Sequence, residues 1–173
     1  MAAPKGLKTT SSPIQISAFV TETALNTFAF EQIDLTLNVL DNEVFVVTQI
    51  NLDVDAPDMT LFPRCSVNAS VSTTQRTFVG SIAQTNNLAS AQRIIIRDGG
   101  IPGEVVSFDR EDPLFAAINE DYLGIIATNN AFLNLQSDNC TAIKSARVRI
   151  YGYRASASSS VYAALVQSEL LSQ

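Results

Sequence analysis

The sequence predicts an all-β protein built as an antiparallel sandwich or barrel. About eight or nine short segments rich in β-branched and aromatic residues follow one another, separated by turn residues at roughly regular spacing. Several of these segments alternate apolar and polar residues with the period of two that a half-buried strand requires. No helical pattern lies between them, so a parallel βαβ architecture is not indicated.

The early strands are predicted from alternation and turn chemistry. A first strand lies near residues 14–20, and residues 31–55 then read as a hairpin of two long strands around a turn at residues 40–43. The first strand of this hairpin presents four apolar side chains on one face, Ile33, Leu35, Leu37 and Val39. Phe45 and Val47 make the second strand apolar on both faces, which indicates cover by a second layer or a neighbouring subunit.

Later strands are predicted at residues 65–72, 93–97, 105–108, 122–127, 131–135 and 146–154. The apolar centre of residues 93–97 favours a central buried strand. Near residue 160 the apolar spacing becomes helical. We therefore expect a flexible N-terminal arm (1–13), a single β-sandwich domain (14–155) and a C-terminal tail (156–173) that is helical, with a final strand as the alternative for the tail.

Composition restricts the function classes. Charged residues make up only 16% of the chain, against about 25% in typical soluble domains, which favours cover by subunit contacts. The net charge of −6 argues against broad binding of nucleic acid. The chain has no His, the commonest general base and metal ligand, and no nucleotide-binding or G-x-S-x-G motif. We expect no enzyme activity, no catalytic residues and no cofactor.

Two acidic groups are candidate sites. Asp53, Asp55 and Asp58 are candidate calcium ligands where a strand ends, but EF-hand spacing is absent, so an ordinary solvated strand end is favoured and no metal is expected. The second group, in residues 109–121, offers carboxylates for acid and base chemistry. Sequence adjacency does not make carboxylates face each other across a cleft, so a charged loop is favoured there.

Basic and aromatic residues of one late strand are the candidates for a protein interface. Arg147, Arg149, Tyr151 and Tyr153 share one parity of this strand, and Arg154, at its end, is a further candidate. The alternative is an edge strand protected by charge. Lys5 and Lys8 are the only charges of the predicted arm, which is either a frayed terminus or an arm that orders against neighbouring subunits or a polyanion.

Cys65 and Cys140 belong to no metal-binding or redox motif. The N-terminus lacks the apolar core of a signal peptide, and no segment is apolar for long enough to cross a membrane. Without a signal peptide we expect two reduced, buried thiols, and a disulfide is the alternative.

Together these features resemble the single jelly-roll capsid proteins of small icosahedral viruses. The shared features are a short polar arm, about eight strands with wide loops, low charge and a C-terminal extension. The segment Asp121-Tyr122-Leu123-Gly124-Ile125, continued by residues 147–155, looks like the last strands of such coat proteins. The resemblance implies an eight-stranded jelly roll of two packed four-stranded sheets and self-assembly into an icosahedral shell.

The resemblance also implies a major coat subunit of a virion, made in the host cytoplasm, with its own copies and other virion proteins as partners. Capsid proteins that bind a genome usually have a strongly basic arm, whereas this arm has only Lys5 and Lys8. We therefore expect direct nucleic-acid binding to be weak at most. The alternative function is a ligand-binding β-sandwich, such as a carbohydrate-binding module or the receptor-binding head of a fibre.

Overall fold

The computed structural model describes residue 4 and residues 6–58, 63–97, 105–111 and 122–171. These ranges contain ten β-strands and one α-helix, and they confirm the predicted all-β sandwich with a short C-terminal helix. In chain order the elements are β1 (Leu7–Thr9), β2 (Ile14–Thr21), β3 (Ala29–Asp34), β4 (Glu43–Val54), β5 (Arg64–Ser72), β6 (Asn87–Arg97), β7 (Val105–Glu111), β8 (Gly124–Ile126), β9 (Asn130–Asp138), β10 (Ser145–Ala157) and α1 (Ser159–Leu171).

The strands form two antiparallel sheets. Sheet A has the order β2-β10-β4-β8, with β1 pairing on the same side of β10 as β2, and sheet B has the order β3-β9-β5-β6-β7. The pairs β2·β10, β3·β9, β4·β8 and β5·β6 are successive rungs of one long antiparallel ribbon. These rungs alternate between the two sheets, so the ribbon is rolled around the core as a jelly roll. β7 is added at the edge of sheet B.

Alternating side chains of both sheets form the core between them. Phe45, Ile50, Val67, Leu133 and Ile150 are fully buried there. Burial of this kind is the main favourable term for folding, at about 1.5–3 kcal/mol for each large apolar side chain.

The predicted hairpin at residues 31–55 is wrong, because β3 lies in sheet B and β4 in sheet A. A 3-10 turn at Val39–Asp41 precedes β4, with Asn38 accepting the N–H of Leu40 and Asn42 in the left-handed region at φ 50°. Leu35 and Leu37 are buried as predicted, but the turn leaves Val39 exposed. Asp and Asn residues indicated a reversal here, and the pattern did not encode that the chain also changes sheets.

A β-bulge at Thr48 explains why β4 is apolar on both faces. The register of β4 on β10 shifts by one residue there, which reverses the side to which the neighbouring residues point. Phe45 and Val47 therefore lie in the core between the sheets, while Val44 and Val46 lie on the outer side of sheet A. The helix α1 packs over that side through Val161, Tyr162, Leu165 and Val166. The predicted second layer is the chain's own helix.

Two further expectations need correction. Residues 7–9 of the predicted arm form β1, which pairs with Ala155–Ala157 of β10, so this part is a strand and not a free arm. The run 93–97 is not a central buried strand, because Ile94 and Ile95 are half-buried and Ile96 is exposed. β6 lies next to the edge strand of sheet B. The matching edge strand of sheet A is β8, which has only three residues and therefore covers little of β6.

Candidate functional site

The outer surface of sheet A has a covered half and an open half. α1 covers the half that contains Val44, Val46 and Tyr153. The open half consists of three rows of side chains from β2, β10 and β4, set by the strand register. We call it the arginine face, and it comprises Gln15, Ser17, Phe19, Gln49, Asn51, Asp53, Arg147, Arg149 and Tyr151.

Arg147 is held in place by three neighbours. Its guanidinium lies 5.4 Å from the ring centroid of Phe19, within the range of a cation–π contact. Nη1 donates to Oδ1 of Asp55 at 3.0 Å and lies 3.8 Å from Oδ2 of Asp53. The charge of Arg147 is therefore balanced within the chain, and its side chain positions Phe19 on the open surface.

Arg149, in the next row, is exposed and has no hydrogen-bond or ion-pair partner in the described part of the chain. It lies between Ser17 and Asn51 in the register of the sheet. The Asn51 Oδ1 accepts a hydrogen bond from Gln49 at 2.9 Å, which leaves its amide N–H groups free to donate outward. These residues line a shallow groove of about 490 Å³. Its donors suit a carboxylate or another oxyanion.

The other predicted interface residues do not join this face. Tyr153 is only 6% exposed because α1 covers it, so its place in an exposed interface is wrong. Arg154 has the opposite parity, and its Nη2 donates to the carbonyl of Leu35 at 3.2 Å and to the hydroxyl of Thr36. Lys8 is exposed on β1, and Lys5 lies outside the described residues.

The candidate calcium ligands do not converge. Asp53 lies 3.4 Å from Arg93, and Asp55 accepts from Arg147 and, at 2.9 Å, from the backbone N–H of Ser145. Asp58 pairs with Lys144, so each carboxylate already has a different cation. Among the described residues no group of three or more acidic, His or Cys side chains is placed to hold a metal.

Asp58 instead fixes the loop between β9 and β10. Its Oδ2 accepts the backbone N–H groups of Thr141 at 3.0 Å and Ala142 at 2.9 Å. Burial alone would raise the pKa of Asp58. The hydrogen bond and charge of Lys144, together with these two backbone N–H groups, have the larger combined effect, so the pKa of Asp58 lies below its ordinary value. Asp109, of the second acidic group, lies 3.8 Å from Arg93, while residues 112–121 lie outside the described residues.

The same loop is anchored by a disulfide and a buried carboxylate. Cys65 and Cys140 are joined, with their Cα atoms 5.3 Å apart, so the expected pair of reduced thiols is wrong and the alternative holds. Glu22 is buried and accepts hydrogen bonds from the N–H and hydroxyl of Ser137 and from the N–H of Lys144. Sequence reasoning did not single out Glu22, because no local pattern marks a buried carboxylate whose partners are more than 100 positions away.

Glu169 anchors the C-terminal helix. It is buried, and its two oxygens accept the backbone N–H groups of Ala127 at 2.9 Å and Thr128 at 3.1 Å. Burial raises the pKa of Glu169, and these hydrogen bonds only partly offset the effect. Sequence reasoning overlooked it, although it is the sole charged residue of α1.

Large apolar side chains are also exposed outside the arginine face. Ile96, Val106 and Phe108 are adjacent on the outer side of β6 and β7. Leu40, at the turn before β4, is 93% exposed, and Leu171, near the end of α1, is 84% exposed. No helix in the described ranges is long and apolar enough to span a membrane.

No family model matches the chain, and no curated protein matches it either. Among solved structures, the chain is similar to one titled Desmodium yellow mottle tymovirus, with a TM-score of 0.28 and 13% sequence identity. That alignment covers 91% of this chain and 94% of the other.

Proposed function

We propose that the chain is a structural subunit that assembles with copies of itself into a closed icosahedral shell, as a viral coat protein. Its rolled ribbon is an architecture that capsid domains use. Because one fold serves many functions, the proposal depends on which side chains the protein exposes at its surface.

The observation that supports assembly is the distribution of contact-type side chains over several sides of the molecule. The arginine face lies on the outside of sheet A, and the apolar strip of Ile96, Val106 and Phe108 lies on the outside of sheet B. Leu171 adds a third exposed apolar site near the end of α1. A shell subunit needs contacts on more than one side, whereas a ligand-binding module needs one cleft.

Low charge favours contact between copies that share a net charge of −6. The one charged residue of α1 is buried, so the exposed surface of this helix has no charge. Identical copies can therefore approach there without like-charge repulsion.

Within this proposal the partners are copies of the chain and other virion proteins, and the location is the virion. Direct binding of nucleic acid is weak at most, because the chain is acidic overall. The proposed role is structural, without catalysis.

The test is light scattering coupled to size-exclusion chromatography, with electron microscopy of each peak, over a range of salt and pH. We expect discrete multimers or shells. Phe108→Asp should reduce assembly, because a charge would enter the apolar strip. Ser107→Asp is the matched control, since Ser107 is exposed on the opposite side of the same strand. A monomer under every condition would contradict the proposal.

A further inference from the structure

Arg149 and Glu31 are exposed residues of opposite charge, and neither has a hydrogen-bond or ion-pair partner in the described ranges. Arg149 lies in the middle row of the arginine face, and Glu31 lies on β3, the edge strand of sheet B. We propose that Arg149 of one copy pairs with Glu31 of the next, so that the β3 edge docks on the arginine face. This inference rests on the proposed function and names the contact through which it operates.

Aromatic side chains lie beside Arg149 and also on the β3 edge that carries Glu31. Arg149 is flanked in the sheet by Phe19 and Tyr151, one row to either side. On β3, Phe30 is exposed on the side of the strand opposite Glu31, and its ring lies 6.3 Å from Phe28 and 6.4 Å from Phe132, measured between ring centroids, so this edge presents a carboxylate on one side and aromatic rings on the other. Arg and aromatic residues are enriched at the centres of protein interfaces, where they exclude water from a charged pair.

Charge complementarity identifies a second copy as the occupant. The neighbouring arginines of the arginine face and its rim are balanced internally, Arg147 by Asp55 and Arg93 by Asp53. Arg149 therefore leaves one positive charge for a partner, and the same chain presents at Glu31 an exposed carboxylate that has no partner among the described residues. The donors of Ser17 and Asn51 beside Arg149 provide further hydrogen bonds to that carboxylate.

The contact forms between copies and not within one. In a single chain, β2 lies outside β10 at the edge of sheet A, so it separates Arg149 from β3 of sheet B. A face that binds a different surface of the next copy gives a heterologous contact, and such contacts close into rings when the rotation permits. A ring of this kind is a unit from which a shell is built.

The test is a charge-exchange experiment on the full chain. Arg149→Glu and Glu31→Arg should each raise the concentration needed for assembly about tenfold or more, since each places like charges together. The double variant R149E/E31R restores the pair in reverse, and we expect it to assemble within about threefold of the unmodified chain. Lys8→Glu is the matched control, because Lys8 is exposed on β1, away from both the arginine face and the apolar strip of β6 and β7, and this change should leave assembly unchanged.

The outcomes separate the two proposals. If the unmodified chain assembles but R149E assembles equally well, or if the double variant is no better than the single ones, the pairing is wrong and the proposed function stands. If the unmodified chain remains monomeric, both fail. Circular dichroism and thermal unfolding of each variant establish that any loss of assembly is not a loss of folding.

Discussion

The carboxylate of Glu169 accepts the backbone N–H of Ala127 at 2.9 Å and thereby ties α1 to the connection between β8 and β9. Replacing Glu169 with Ala leaves this N–H and that of Thr128 without their acceptor. We expect the free energy of unfolding to fall by about 1–3 kcal/mol. Urea denaturation measures the change, and Gln167→Ala, at an exposed position of the same helix, should have little effect. Equal effects of the two substitutions would contradict the anchoring role.

The raised pKa of Glu169 predicts a pH dependence. A carboxyl whose pKa is higher in the folded than in the unfolded chain contributes stability below the unfolded value, and this contribution is lost as the pH rises through the folded value. Glu169→Gln removes the titration while keeping the shape. We therefore expect the stability of E169Q relative to the unmodified chain to increase as the pH rises above the ordinary Glu range. Denaturation at a series of pH values measures this trend, and a constant difference would oppose it.

Asp58 should show the opposite sign, because its pKa is lowered in the folded chain. Its contribution is present above the unfolded pKa and is lost as the pH falls through the folded value. Asp58→Asn should cost about 1–3 kcal/mol near neutral pH, since it leaves the buried Lys144 without its counter-charge, and less in acid. The exposed Asp138→Asn is the control, and a cost for D58N that does not shrink in acid would be evidence against this account.

The disulfide between Cys65 and Cys140 spans 75 positions. Cross-linking over such a distance restricts the unfolded chain, and removing the bond typically costs about 2–4 kcal/mol. We expect Cys65→Ser/Cys140→Ser to lower the free energy of unfolding by this amount, measured in denaturant. Treating the unmodified chain with reductant should give the same loss, while the double variant should not respond to reductant.

Gly152 is required by a close approach of two strands. A Cβ there would lie 2.6 Å from the Phe45 ring and would also collide with the carbonyl oxygen of Val46. Gly152→Ala should therefore cost about 3 kcal/mol or more in thermal or denaturant unfolding. At Gly124 a Cβ would meet only the end of the Leu88 side chain, so Gly124→Ala should be milder. The reverse order of severity would show that Phe45 and β4 can shift more easily than the packing indicates.

Local alternation was enough to predict many of the strands, because burial of one face leaves a period of two in the sequence. The run of Arg147, Arg149 and Tyr151 is an example, since all three lie on one open face. Tyr153 has the same parity, yet α1 covers it, and no local pattern reports where a distant helix packs. The position of a side chain along a strand was therefore predictable, whereas its exposure was not.

The pairing of strands and cysteines that lie far apart in the sequence could not be predicted. The Asp and Asn residues before β4 predict a turn in a hairpin as readily as in a crossover between sheets. Because of the bulge at Thr48, the residues from Val44 to Val47 are apolar at both parities, and this pattern is visible in the sequence. The pattern does not indicate which parity faces the core. For Cys65 and Cys140 the sequence favoured reduced thiols over a disulfide, and only the fold, which places the two residues side by side, shows the disulfide.

The place of β10 in sheet A determines when the chain can finish folding. β10 follows all the other described strands in the sequence, yet it lies inside the sheet, between β4 and the edge formed by β1 and β2. Until it leaves the ribosome, β2 and β4 have no common neighbour, and their open edges and apolar faces are available to other nascent chains. Pairing of residues 124 to 138 positions apart in β2 and β10 also requires a long loop to close, which slows folding. We therefore expect sheet A to be completed slowly and only after β10 has emerged, with an interval in which chaperones determine the yield.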